Sequence, residues 1–421
     1  MGASAVFRQG VKSNRPIERR AVGGGRIAQE LGTSGPGLAA QDVLRARRPK
    51  PAEPSRSESG SRRSASSARS TGPATTKMTP PPDAATNADP ELDSNDVRAV
   101  AELAESLAAV RAELGKAVIG QTEVVDRLLT CLLARGHALL MGVPGLAKTL
   151  LVRKLAETLR LDFSRIQFTP DLMPMDITGT DILQENESGG RSFEFVKGPV
   201  FAGIVLADEI NRAPAKTQAA MLEAMQERRI TVLGKSFELP EPFFVLATQN
   251  PVEQEGTYPL PEAQLDRFMF LIEVDYPTED EEVRIARLTT GEEPPPLTEV
   301  LDAGRILEMQ RLVRRIPVPD HVYAYAVQLV RRTRPADEAA PAWIKPLVAW
   351  GAGPRAVQSL VLGAKARAAM QGSYMVRVED MQAVAAPVLG HRIVTTFSAE
   401  AEGQTPARIV ERLVSEFGPV Q

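Results

Sequence analysis

The stretch that most constrains this chain is His137 to Thr149, HALLMGVPGLAKT, where a short apolar run ends in a glycine-proline-glycine turn and then in Lys148-Thr149. His137 to Met141 reads as a buried strand of a parallel sheet. Thr149 to Leu159 carries apolar residues at helical spacing, so the loop lies between a strand and a helix. This context matches the phosphate-binding template G-x-x-x-x-G-K-[ST] at Gly142, Lys148 and Thr149, with Ala147 where the second glycine is expected. Only a short side chain fits at that position, and alanine is short. The loop Gly142, Val143, Pro144, Gly145, Leu146 and Ala147 leads into Lys148, Thr149 and Leu150. The N–H groups of Gly145 to Thr149 would converge on phosphates at the helix N-terminus, Lys148 would reach the β and γ oxygens, and Thr149 would ligate Mg²⁺. The competing reading is a glycine-rich loop with an incidental lysine; the flanking strand and helix argue against it.

A second apolar run, Gly203 to Ala207 (GIVLA), passes directly into Asp208-Glu209. Acids at the carboxyl end of a parallel strand lie where open α/β sheets bind ligands. Asp208 would hold Mg²⁺ through its water shell, and Glu209 would orient or deprotonate an attacking water. A lone Asp-Glu pair is more often a helix cap, and its nearness to the phosphate loop weighs against that. Phe243 to Thr248 (FFVLAT) is a further buried strand, ending in Gln249-Asn250-Pro251, and the Asn250 amide can hydrogen-bond a γ-phosphate or the lytic water. Pro261 to Phe268 (PEAQLDRF) sets Arg267 before a fifth strand, Phe268 to Val274. That arginine either serves the nucleotide of a neighbouring subunit as a finger or pairs with Asp266 or Glu262.

The remaining segments supply organisation. Residues 1–95 are rich in Arg, Ser, Ala, Pro and Gly and poor in large apolar residues, a composition that predicts disorder. A transit peptide, a flexible tail or a reading frame beginning upstream of Met78 would each look like this. Met1 to Lys77 carries 15 Lys and Arg against 5 Asp and Glu, which leaves 35 against 48, a net −13, in the remainder. So acidic a body argues against direct nucleic-acid wrapping. Cys131 is the only cysteine and lies in an apolar helical pattern, a buried thiol suited to a reducing compartment, the cytoplasm. Leu128 to Ala147 is interrupted by Arg135 and His137, so no membrane insertion is expected, and three scattered histidines do not suggest a metal site.

Asp96 to Leu114 reads as an amphipathic helix with Val100, Leu103, Leu107 and Val110 on one stripe, followed by a second helix to Ala134. Ser164 to Phe168 is another strand. Ile182 to Val196 forms a hairpin closed by Ser188-Gly189-Gly190, Asn211 to Arg228 a helix begun by Pro214, and Arg229 to Leu239 a second hairpin turning at Gly234-Lys235. From about Leu301 only helical periodicity remains, and Pro354 at a helix start places Arg355 in the first turn, within reach of phosphate. The expected organisation is a phosphate-binding α/β core over 96–276, a linker over 277–300 and a small all-helical domain over 301–421.

Together these pieces resemble the MoxR family of AAA+ ATPases over about Asp96 to Gln421. The likeness rests on GVPGLAKT (Gly142 to Thr149), RIQFTPDLMPMDITGTDIL (Arg165 to Leu183), KGPVF (Lys197 to Phe201), IVLADEINRAPAKTQAAMLEAMQE (Ile204 to Glu227), ATQNP (Ala247 to Pro251), PEAQLDRF and GAGPRA (Gly351 to Ala356). It implies a three-layer αβα sandwich around a five-stranded parallel sheet. It also implies ATP and Mg²⁺ as cofactors, with Walker A at Gly142, Lys148 and Thr149 and Walker B at Asp208 and Glu209. Sensor 1 would be Asn250, a trans finger Arg267, with Arg212 as a rival, and sensor 2 Arg355. The two hairpins would be the helix-2 insert and the pre-sensor hairpin. Met175 and Ala352-Gly353 depart from the family pattern without touching the chemistry. The resemblance further implies a homo-oligomeric, six-membered ring acting on protein clients with a von Willebrand A domain protein supplied in trans. A chelatase-type subunit inserting metal into a tetrapyrrole, or a DNA-associated regulator, are the rival functions; no helix-turn-helix or zinc finger favours the latter.

Overall fold

The computed structural model describes residues 94–185, 191–252, 256–292 and 296–418. The basic head predicted to be disordered and the Ser188-Gly189-Gly190 turn lie outside the described residues, except that the first helix already begins at Ser94. Helices α1 (Ser94–Leu114) and α2 (Thr122–Leu133) precede β1 (Ala138–Met141), α3 (Lys148–Thr158) and β2 (Phe163–Gln167). After α4 (Pro174–Thr178) come the hairpin β3 (Gly179–Glu185) and β4 (Arg191–Lys197), then β5 (Ile204–Asp208) and α5 (Ala215–Glu227). A second hairpin, β6 (Arg229–Val232) and β7 (Lys235–Glu238), leads to β8 (Phe244–Gln249), α6 (Glu262–Leu265) and β9 (Phe270–Glu273).

Five strands form one parallel sheet in the order β2-β5-β8-β1-β9. β5 is buried at every position and β8 at all but its last, as near-continuous apolar sequences demand of strands covered on both faces. β2 is an edge strand and carries its polar residues there, Ser164, Arg165 and Gln167. Alternation along β1 divides the core. Ala138 and Leu140 join the apolar cluster under α1, α2 and α3, whereas Leu139 packs with Val205, Val245 and the α5 residues Met221, Leu222 and Met225. This is the expected three-layer αβα arrangement. From β1 the chain runs to one side for β2 and later returns to the other for β9, so the reversal of strand order falls at the phosphate-loop strand. Cys131 is fully buried, and burial pushes its thiol pKa up, as expected of an inert core cysteine.

Several local details depart from expectation. The helix read from Asn211 is a 3₁₀ turn over Ile210–Arg212 and then α5 from Ala215, because Pro214 forces Ala213 into extended backbone (φ −91°, ψ 154°). The second hairpin turns at Leu233-Gly234, with φ of 46° and 79°, and not at Gly234-Lys235, since Lys235 already pairs with Val232. The two hairpins meet through Phe195 and Phe237, whose rings stack with centroids 4.0 Å apart. The span read as linker contains α7 (Glu279–Thr290), started by a capping box in which Glu281 accepts from the Thr278 N–H at 2.8 Å.

The lid comprises α8 (Ala303–Arg315), α9 (Asp320–Arg332), α10 (Ile344–Leu347), α11 (Pro354–Met370), α12 (Val378–Leu389), α13 (Phe397–Ala401) and α14 (Pro406–Glu416). It is helical except for a two-stranded ladder, β10 (Val348–Trp350) against β11 (Val394–Thr395), too short to leave a period in the sequence. No helix among the described residues is long and apolar enough to cross a membrane.

Two histidines, His137 buried and His391 half-buried, give the fold a pH dependence. His137 accepts from the Val245 N–H at Nδ1 (3.0 Å) and donates from Nε2 to the Met225 carbonyl (3.1 Å), which requires the neutral ring. Burial holds its pKa down at about 4, and that of His391, which donates to the Phe268 carbonyl, at about 3. Both lie below the unfolded value, so the unfolded chain takes up protons first as pH falls. Their stabilisation is complete above about pH 6.5 and is lost as pH falls, toward about 4 for His137 and about 3 for His391, on the order of 1 kcal/mol per histidine for each pH unit. Thermal melts should show the midpoint falling steadily through that window; a midpoint that is flat from pH 6.5 to 4.5 would contradict these assignments.

Candidate active site

Gly142 leaves the carboxyl end of β1 with no room for a side chain, since a Cβ there would lie 2.7 Å from the Val274 carbonyl oxygen. Gly145 takes φ +92°, and Ala147 the left-handed conformation (φ 54°, ψ 24°) at the N-cap of α3. That conformation explains why glycine suits the position, and alanine tolerates it at a cost of about 1 kcal/mol. Gln121 braces the loop by donating to the Leu146 carbonyl at 3.0 Å. The backbone N–H groups of Gly145, Leu146, Ala147, Lys148 and Thr149 donate to no acceptor among the described residues. Five unspent donors at a helix N-terminus form an anion cradle. Lys148 Nζ rests on the Gly142 carbonyl; burial lowers its pKa, while Asp208 and Glu209 push it back up. A cavity of about 660 Å³ opens beside the loop, walled by Val118, Ile119, Pro144, Leu146, Tyr276 and Ile285.

The two acids stand at the end of β5. Asp208 is buried; its Oδ1 accepts from the Thr248 hydroxyl at 2.6 Å, and its Oδ2 from Arg165 Nη2 at 2.7 Å and Nε at 3.0 Å. Glu209 takes a left-handed conformation (φ 56°, ψ 49°), with its N–H on the Thr248 hydroxyl at 2.8 Å. Its carboxylate accepts from Gln167 Nε2 at 2.7 Å and Arg212 Nη1 at 3.0 Å. It stands at the N-cap position of the 3₁₀ turn Ile210–Arg212, but its carboxylate makes no capping hydrogen bond and turns to Gln167 and Arg212 instead. Asn250 is buried just after β8, whose partner is β1; the Gly142 N–H donates to the Gln249 carbonyl at 3.4 Å.

Lys148, Asp208, Glu209 and Asn250 therefore gather at the carboxyl edge of β1, β5 and β8, with Thr149 in the first turn of α3. Arg267 and Arg355 do not join them within one chain. Arg355 opens α11 and donates to Asp266 Oδ2 at 2.8 Å, while Arg392 donates to Oδ1 at 2.7 Å. With Asp266 so occupied, the half-buried Arg267 side chain has no hydrogen bond or ion pair among the described residues, and neither alternative partner, Asp266 or Glu262, holds it.

Sequence reading missed Arg165, Gln167, Thr248 and Arg392. Arg165 and Gln167 alternate on β2, and only the pairing of β2 with β5, Gln167 opposite Asp208, brings them to the acids. A polar pair on one face of an edge strand was the available signal.

Residues 137–270 match the ATPase family associated with various cellular activities (AAA), and residues 341–413 match the AAA lid domain. The chain is 44% identical to the chaperone MoxR1 of Mycobacterium tuberculosis over 302 residues, which is 72% of this chain and 79% of that protein. It belongs to the MoxR family of AAA+ ATPases. The MoxR family resemblance extends to protein MoxR of Methylorubrum extorquens, 32% identical over 306 residues, covering 69% of this chain and 88% of that one. A crystal structure from Cytophaga hutchinsonii, described as a candidate ATPase, superposes with a TM-score of 0.70 at 41% identity, over 77% of this chain and 98% of that one. Membership of the MoxR family carries nucleotide binding in general to this chain.

Proposed function

We propose that the chain hydrolyses ATP with Mg²⁺ at this site, and uses the cycle to remodel or mature partner protein complexes. The observation that carries the reading is the row of five unspent N–H donors, Gly145 to Thr149, beside Lys148 and the Asp208-Glu209 pair. The residues suit the cofactors. The Thr149 hydroxyl has no hydrogen-bond partner among the described residues, so it and Asp208 are the natural holders of Mg²⁺. The metal supplies charge neutralisation across the phosphates when bound. Lys148 binds and orients the phosphate tail, Glu209 accepts the proton of the attacking water, and Asn250 positions that water.

Arg267, without a hydrogen bond or ion pair among the described residues, is assigned to the neighbouring subunit's nucleotide and Arg355 to its own. Completion in trans accounts for a ring, six-membered in this proposal, acting in the cytoplasm. The core over 96–276 and lid over 301–421 then move against each other as the cycle proceeds. A von Willebrand A domain protein on another chain is the proposed partner. The similarity to a protein named as a chaperone supports this over metal insertion or DNA regulation.

Two experiments test these assignments. The rate of ATP hydrolysis per chain should rise with protein concentration as subunits assemble, and a monomeric preparation working at the full rate would contradict the trans finger. Capture on the Glu209→Gln variant with ATP and Mg²⁺ should retrieve a von Willebrand A protein with its client; a chelatase subunit in its place would transfer the function to metal insertion.

A further inference from the structure

Arg392 lies in the turn between α12 and β11, and its side chain is 2% exposed. A guanidinium so buried needs every donor satisfied. Besides Asp266 Oδ1, it reaches the carbonyls of Asp266 (3.1 Å), Phe268 (2.7 Å), Met269 (3.1 Å) and Val388. The neighbouring His391 adds its own bond to the Phe268 carbonyl at 3.0 Å. Segment 266–269, which carries Arg267 into β9, is thereby stapled to the lid.

Asp266 offers its other oxygen to Arg355, and that contact differs in kind. Arg355 is 46% exposed, makes a single bond to the carboxylate, and stands in the first turn of α11. One carboxylate therefore holds one buried arginine firmly and one exposed arginine loosely. We propose that Asp266 is a positioning residue of the ATPase. Anchored by Arg392, it retains Arg355 when the site holds no nucleotide and surrenders it to phosphate when nucleotide binds. This rests on the nucleotide reading above. Because Arg267 is the next residue in the chain, the exchange would also report the state of a subunit's own site to the finger it lends its neighbour.

A carboxylate competing with phosphate for Arg355 weakens nucleotide binding, and a half-exposed pair of this kind is worth about two- to fivefold in an equilibrium. The test is a double-mutant cycle on the full chain, titrating the non-hydrolysable analogue AMPPNP with Mg²⁺ into the unmodified protein, Asp266→Asn, Arg355→Ala and the double variant. Asp266→Asn should tighten binding by about two- to fivefold where Arg355 is present and leave it unchanged in the Arg355→Ala background. Asp266→Glu, which keeps the charge, should restore the original affinity. If Asp266→Asn does not fold, Asp266→Asn with Arg392→Met removes the buried cation together with its counter-ion and runs in its place. A change of equal size in both backgrounds, or no change in either, overturns the inference while leaving the nucleotide site standing. Failure of the unmodified chain to bind AMPPNP overturns both.

Discussion

Lys148→Ala is expected to weaken ATP binding by about a hundredfold, the loss of a charge-assisted contact to phosphate in a partly dry site. The effect should be confined to the ligand. Lys148 opens α3, where alanine is an excellent helix former, and among the described residues its ammonium bonds only to the Gly142 carbonyl. The five N–H donors stay in place, so the cradle survives without its mobile positive charge. Titration calorimetry with ATP and Mg²⁺ alongside a thermal melt measures both sides. Undiminished binding, or binding lost only because the variant is unfolded, would count against the assigned role.

Glu209→Gln is expected to do the opposite, keeping affinity while turnover drops by on the order of a hundredfold or more. The amide preserves the shape of the side chain and an oxygen that can accept from Gln167 or Arg212, and it leaves the backbone bond to Thr248 untouched. What it loses is the ability to take a proton. Asp208, which sits one residue earlier and shares Thr248, is unchanged, so a metal-dependent affinity should persist. Equal loss of binding in Glu209→Gln and Lys148→Ala would show that the two residues do not have separate roles.

The phosphate loop and the Asp208-Glu209 pair were legible in sequence because each is local: a strand, a few turn residues and a charge at fixed spacing. Apolar runs likewise marked four of the five sheet strands, β1, β5, β8 and β9, to within about two residues at either end, and the more polar β2 was placed to within one. Sheet order is non-local, and with it went the neighbours of the acids. Arg165 and Gln167 look like ordinary polar residues on β2 until β5 is known to lie beside them. Arg392 was invisible for the same reason, since its partner Asp266 lies 126 residues away and no periodicity announces a buried guanidinium. α7 was overlooked despite the Thr278 to Glu281 capping box, because the helix buries no residue and leaves little apolar stripe. The three-residue β10 is shorter than any repeat that alternation could reveal.

The measurement that bears most directly on the account is phosphate release from ATP by the unmodified chain, with and without Mg²⁺, beside Lys148→Ala and Glu209→Gln at the same concentration. The account predicts turnover that requires Mg²⁺ and disappears in both variants. Absence of turnover in a folded, assembled sample, or turnover that persists in Lys148→Ala, would contradict it.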